Sequence, residues 1–146
     1  MAVPKSERKQ GKLEVQTKAY EFASLTDKIC SNQKVFLKRN RWCSTTQLVR
    51  CSHEIAVNID IANETRLENP TRREHQNLAI AKVIEANTLM EIAYRDNFNM
   101  NSGKPTIPDN KIENWIGKLL ELKSLLIKWR RNDEKRLSES TKKVES

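Results

Sequence analysis

The sequence predicts an all-α domain folded as an antiparallel up-and-down four-helix bundle, and three observations carry that reading. Apolar residues recur at three- and four-residue steps in four separate segments, the spacing that lays one stripe along a helix. Glycine and proline number only 3 and 4, and all but Gly117 stand where a helix must begin or stop. Alternating β-branched and aromatic runs, the mark of strands, are few. At 146 residues the chain suits one domain with a proper core and is short for two.

Residues Met1 to Lys12 carry Lys5, Arg8, Lys9 and Lys12 against a single Glu7, so 1–12 reads as a basic, disordered arm. The bundle is expected over 13–136. Its first helix runs from Leu13 to about Asn32 on the stripe Val15, Ala19, Phe22, Leu25 and Ile29. A basic connector follows, after which Ser44, Thr45 and Thr46 supply hydroxyls able to cap a second helix. That helix is expected to reach about Glu68, with Leu48, Ser52, Ile55, Ile59 and Ala62 inward. Pro70 ends it or opens the third, which spans about Thr71 to Asn97. There Leu78, Ile80, Ala81, Val83, Ile84, Leu89, Met90, Ile92 and Ala93 cover an arc wide enough to face more than one neighbour.

The turn-rich stretch NFNMNSGKPTIP is a loop, and Asp109 or Asn110 then caps the fourth helix. Here the pattern is sharpest, with Ile112, Trp115, Leu119, Leu122, Leu126 and Trp129 on heptad steps. Beside that face Ile116, Leu120 and Ile127 form a second apolar line, more than one intramolecular seam needs. They are expected to line a contact between subunits. Residues 137–146 are polar and aperiodic and read as a frayed tail.

Net charge is +8, from 27 Lys plus Arg against 19 Asp plus Glu, which favours a polyanionic partner. In an up-and-down bundle the cations gather at two ends. Lys34, Lys38, Arg39 and Arg41 share one end with Lys104 and Lys111, with Arg50 just inside the second helix. Arg66, Arg72, Arg73, Lys128, Arg130, Arg131, Lys135 and Arg136 collect at the other, where cations also suit the end of the fourth helix's dipole. The nucleic-acid-binding candidates are Lys34, Lys38, Arg39, Arg41, Trp42, Arg50, Arg72, Arg73, Arg130 and Arg131. The connector end is favoured, because it holds no acid and sets Trp42 beside its charges. That ring has two open readings, a stacking platform for an unpaired base or a plug in the end of the bundle.

No catalytic constellation is legible, and the chain reads as a non-enzyme without metal or cofactor. His53 and Glu54 stand together as in a zinc-protease motif, but Val57 replaces the second histidine. Cys30, Cys43 and Cys51 are odd in number and lack metal-ligand spacing, so they read as reduced thiols. No apolar run approaches the roughly 20 residues needed to cross a bilayer, and the charged N-terminus lacks a signal peptide's apolar segment. No membrane role and a cytoplasmic location are expected.

The stretch TTQLVRCSHEIAVNIDIA resembles the signature of the four-helix-bundle proteins encoded in intervening sequences of bacterial large-subunit ribosomal RNA genes. That signature reads roughly D-Q-L-R-R-A-A-x-S-I-x-x-N-I-A-E-G. Gln47, Leu48, Arg50, Ile55, Asn58 and Ile59 match it in register, while its A-E-G has become Asp60, Ile61 and Ala62 and its serine has become Glu54. Upstream, Phe36, Lys38 and Arg41 look like the family's basic approach, and Thr88 to Ile92 is similar to its S-L-x-E-L element. The same fold group includes the accessory variability determinants of diversity-generating retroelements, the branch that the basic composition favours. The resemblance implies a homopentamer that binds the element's reverse transcriptase and template RNA and supports mutagenic copying without catalytic residues of its own. The alternative is an intervening-sequence-type bundle whose basic ends bind ribosomal or other RNA, or an acidic protein.

Overall fold

A computed structural model of the protein describes residues 13–32 and 45–145. The arm 1–12 and the connector 33–44 lie outside the described residues, and with them Lys34, Lys38, Arg39, Arg41, Trp42, Cys43 and Ser44. The described residues form four helices: α1 (Glu14–Ser31), α2 (Thr46–Glu64), α3 (Pro70–Asp96) and α4 (Asp109–Glu145). Each packs on the next, and α4 closes the ring against α1. The pairings between them run antiparallel. On α1 and α2, Gln16 meets Asp60 and Asp27 meets His53. On α1 and α4, Lys18 meets Glu121 and Thr26 meets Trp115. This is the up-and-down four-helix bundle that the periodicity predicts.

Helix ends follow local chemistry. Gln16 folds back to accept the Leu13 amide at 3.2 Å, and its side-chain nitrogen donates to Asp60 on α2 at 2.9 Å. One side chain thus closes the start of α1 and fixes its register against α2. Thr45 stands at the N-cap of α2 but in helical φ/ψ, without a capping bond from its side chain, so of the three expected hydroxyls Thr45 does not serve as the cap, and Ser44 lies outside the described residues. The same helix stops at Glu64 rather than Glu68, because Asn69 caps α3 by accepting the Thr71 amide at 3.0 Å, with Pro70 at its first position. Asp109 opens α4 from inside the first turn, where its charge suits the dipole and it accepts the Tyr94 hydroxyl at 3.0 Å. The loop before it turns at Gly103, whose φ of 69° is a conformation that side-chain-bearing residues rarely adopt.

The core is assembled around α4. Ile112, Trp115, Leu119, Leu122 and Leu126 are buried, as the heptad spacing predicts, and Trp129 packs partly buried at the end of the row. From α1 come Val15, Ala19, Phe22 and Ile29, and from α2 come Leu48, Ile55, Ile59 and Ala62. Leu25 is only half-buried, while Thr26 is fully enclosed. The reason is Trp115, whose indole N–H is carried into the core and donates to the Thr26 hydroxyl at 3.0 Å.

The wide arc expected of α3 is narrower in the structure. Its buried side holds Gln76, Ala79, Val83, Ala86, Met90 and Ala93, while Leu78, Ile84 and Ile92 are 47%, 53% and 47% exposed. Small residues at Ala79, Ala86 and Ala93 recur every seven, which lets α3 lie close on its neighbours and leaves no room for the larger aliphatics. At the C-terminal end α4 runs on to Glu145, through the stretch expected to fray. Glu, Lys, Arg, Leu and Ser succeed one another there without a glycine or proline to stop the helix. Leu67 and Leu137 line one small cavity with Arg72, Gln76 and Asp133 beside the start of α3. Cys30 and Cys51 are free and buried. Burial pushes both thiols up to about 12, with the nearby carboxylates of Asp27 and Glu85 respectively adding to the shift.

Truncating the heptad face should expose its weight. Leu122→Ala or Leu126→Ala removes methyl groups from fully enclosed sites and should cost about 2–5 kcal/mol in denaturant unfolding. A loss below about 0.5 kcal/mol at both positions would contradict this packing.

Candidate nucleic-acid interface

The structure sorts the cations of the α3–α4 end into those that are spent and those that are spare. Arg72, at the start of α3, turns inward. Its Nε donates to Asp133 Oδ2 at 2.6 Å and a terminal nitrogen to Asp133 Oδ1 at 3.2 Å. Its other terminal nitrogen reaches the carbonyls of Thr65 at 3.1 Å and Ala62 at 3.5 Å, at the C-terminal end of α2. The guanidinium also lies 5.2 Å from the centroid of the Trp129 ring. Gln76 completes the cluster by donating to Asp133 at 2.7 Å. The Arg72 and Asp133 side chains are only 12% and 7% exposed. Arg72, read from the sequence as a phosphate ligand, is therefore corrected to a clamp that ties α2, α3 and α4 together.

Its neighbours are engaged more loosely. Arg73 pairs with Glu134 at 2.6 Å on the surface, and Arg130 donates to Asn77 at 2.8 Å. Arg136 reaches Asp133 at 3.7 Å. Such exposed contacts hold little energy and can be exchanged. Arg131 is exposed, and so are Lys128 and Lys135. Among the described residues no carboxylate lies within ion-pair distance of these three. Their spacing of three and four places them on one side of α4, turned away from the heptad face. Together they make a short cationic ridge spanning about 10 Å of helix. Lys128 and Lys135 were part of the end cluster in the sequence, yet nothing there separated them from Arg72.

Arg50 is exposed on α2, with Val57 and Ile61 further along the same outward side at 53% and 39% exposed. The other half of the candidate interface, Lys34, Lys38, Arg39, Arg41 and Trp42, lies outside the described residues. Its flanks do meet as predicted. Thr26 against Trp115 and Tyr94 against Asp109 bring the C-terminus of α1 and the α3–α4 loop, with Lys104 and Lys111, to one end of the bundle.

The second apolar line of α4 is placed along its seam with α3. Ile116 packs against the core, Ile127 is half-buried, and Leu120 is 52% exposed. The pairings of Arg72 with Asp133 and Tyr94 with Asp109 set an antiparallel register that brings Ile84 level with Leu120. The exposed apolar surface here thus belongs to two helices, and Ile84 is the partner that a reading of α4 alone did not supply.

The matched residues of α2 are mostly packing positions. Leu48, Ile55 and Ile59 are buried, and Asn58 Oδ1 accepts from His75 Nδ1 at 2.8 Å, while its side-chain nitrogen donates to the Glu54 carbonyl. The two departures are both used. Asp60 receives Gln16 and Tyr20 from α1, and Glu54 pairs with Lys82 of α3 at 2.8 Å. Cys51 and His53 point apart, as their spacing requires. The Cys51 thiol donates inward to the Lys82 carbonyl, and His53 meets Asp27 on the surface.

The clamp and the surface pair should respond differently to truncation. Asp133→Ala strands a buried guanidinium and should cost about 3–5 kcal/mol, whereas Glu134→Ala should cost less than about 1 kcal/mol. Equal losses in urea unfolding would remove the distinction between spent and spare cations.

A scan against models of protein families finds no match to this chain, and a search of curated proteins finds none either.

Proposed function

We propose that this protein is a non-catalytic, cytoplasmic accessory subunit of a diversity-generating retroelement that binds template RNA and the reverse transcriptase during mutagenic copying. The observation that carries the nucleic-acid half is the ridge of Lys128, Arg131 and Lys135, exposed and without carboxylate partners among the described residues, on a chain of net charge +8. Unpaired cations at short spacing gain most from an anion that presents several charges in a row, and a phosphate backbone does so while releasing counterions. The polymerase partner rests on the likeness at Gln47 to Ile59. The connector cations Lys34, Lys38, Arg39 and Arg41, outside the described residues, add positive charge suited to the same chemistry.

Self-association belongs to the same proposal. Leu120 and Ile84, flanked by Ile116 and Ile127, offer an apolar strip on the α3–α4 side. Val57, Ile61 and Leu78 offer another on the α2–α3 side. Two unlike faces on one subunit suit a head-to-tail contact, which closes into a ring when the rotation permits. The pentamer is the number the resemblance implies.

Replacing Lys128, Arg131 and Lys135 together by glutamine should weaken binding to single-stranded RNA of unrelated sequences alike. The slope of log K against log salt should become shallower by about two units, at roughly 0.7 per phosphate contact. The Lys38, Arg39 and Arg41 triple is the companion variant. Unchanged affinity and slope in both, with loss of reverse transcriptase association, would assign the cations to a protein partner and overturn the RNA half. For assembly, light scattering should report a multiple of 17.0 kDa, and Leu120→Asp should release monomers with helix content intact. A monomeric parent protein at micromolar concentration would rule the contact out.

A further inference from the structure

Next to the cationic ridge, α1 and α4 part to leave a groove of about 180 Å³. Leu13, Leu125 and Trp129 supply its apolar surface, and Lys128, Asn132 and Glu14 its polar groups. The groove is smaller than the roughly 300–1,000 Å³ of a site for a whole small molecule, and its scale is that of one planar ring. Trp129 is held in place there. Its ring packs against the core, and Arg72 approaches it from α3, 5.2 Å from the centroid, with Asp133 fixing the guanidinium in turn. A platform already ordered by its surroundings loses little freedom when something stacks on it.

We infer that this groove takes one unpaired nucleobase of a single-stranded nucleic acid, stacked at Trp129. The proposal rests on the nucleic-acid reading above and deepens it. Each lining group has a use in that occupant. The aromatic ring and the leucines accept the face of any base. Asn132 carries both a donor and an acceptor, and Glu14 an acceptor for an exocyclic amino group, the groups that base edges present. Lys128 stands at once on the groove and on the ridge, so a strand whose phosphates lie along Lys128, Arg131 and Lys135 brings its bases to the mouth. Duplex RNA, with its bases stacked inside, can use the ridge but not the groove. The site therefore separates single strands from duplexes, which the ridge alone does not.

The test measures affinity for an oligouridylate and for a blunt RNA duplex of equal length, on the full chain. Trp129→Leu should lose about 5- to 100-fold on the single strand, with duplex affinity and salt slope unchanged. Trp129→Phe, which keeps a ring, should restore most of the loss. Because Trp129 also packs against the core, a measurement on the parent protein stands beside the variants. Light-induced crosslinking to an oligomer of 5-bromouridine, mapped by mass spectrometry, should mark Trp129. Single-strand binding unaffected by Trp129→Leu, an equal loss on duplex, or crosslinks confined to Trp42 or other positions would overturn the site. In those outcomes the ridge reading survives through its salt slope. A parent protein that binds neither RNA with steep salt dependence fails the function proposal itself.

Discussion

Burial of one face of α4 is the constraint on which the rest of the bundle depends. That face brings Trp115 to the centre, and an indole N–H in an apolar core must find an acceptor or cost stability. Thr26 supplies it, which selects how α1 lies against α4 and turns Leu25 partly aside. The row ends at Trp129, and from there a different interaction takes over. Asp133, one turn further, is enclosed by Arg72 and Gln76, so the helix that begins with apolar packing is finished by a charge clamp. Breaking a pair so enclosed leaves an uncompensated buried charge. The clamp therefore specifies where α4 sits over the α2–α3 turn as much as it stabilises it.

That division governs what the surface can offer. Cations within reach of α3's start or of acids on α4 are consumed in holding helices together, as with Arg72 and, more weakly, Arg73. Cations on the outer side of α4 meet no such partner among the described residues, and they form the ridge. Apolar residues are divided in the same way. Alanines on α3 allow close approach, and the bulk of Ile84 and Leu78 is left exposed on the outside.

Much of this fold is legible in the sequence, and the reason is geometric. In α1, α2 and α4 a single stripe faces inward, so periodicity and burial coincide. In α3 they do not. Large aliphatics occur around most of its circumference, and only the seven-residue recurrence of Ala79, Ala86 and Ala93 marks the buried side, a signal that size-blind apolar counting misses. The candidate site is less legible. Arg72 and Arg131 look alike in a charge count, but Asp133 is distant in sequence from Arg72, and nothing local announces their pairing. The end cluster was visible as a cluster; which of its members are free depends on tertiary contacts. Trp129 read as the last residue of a heptad face, and its second surface, towards the α1 groove, appears only once α1 is in place.

The most direct measurement of the central claim, that the bundle spends some cations internally and presents others to a polyanion, is lysine footprinting with and without single-stranded RNA. Acetylation rates read by mass spectrometry report each ammonium group separately. The account predicts that RNA protects Lys128 and Lys135, while Lys18 and Lys82, held by Glu121 and by Glu54 with Glu85, keep their rates. Protection of Lys18 and Lys82 with Lys128 and Lys135 unchanged, or no protection at any lysine under conditions where RNA is bound, would contradict it.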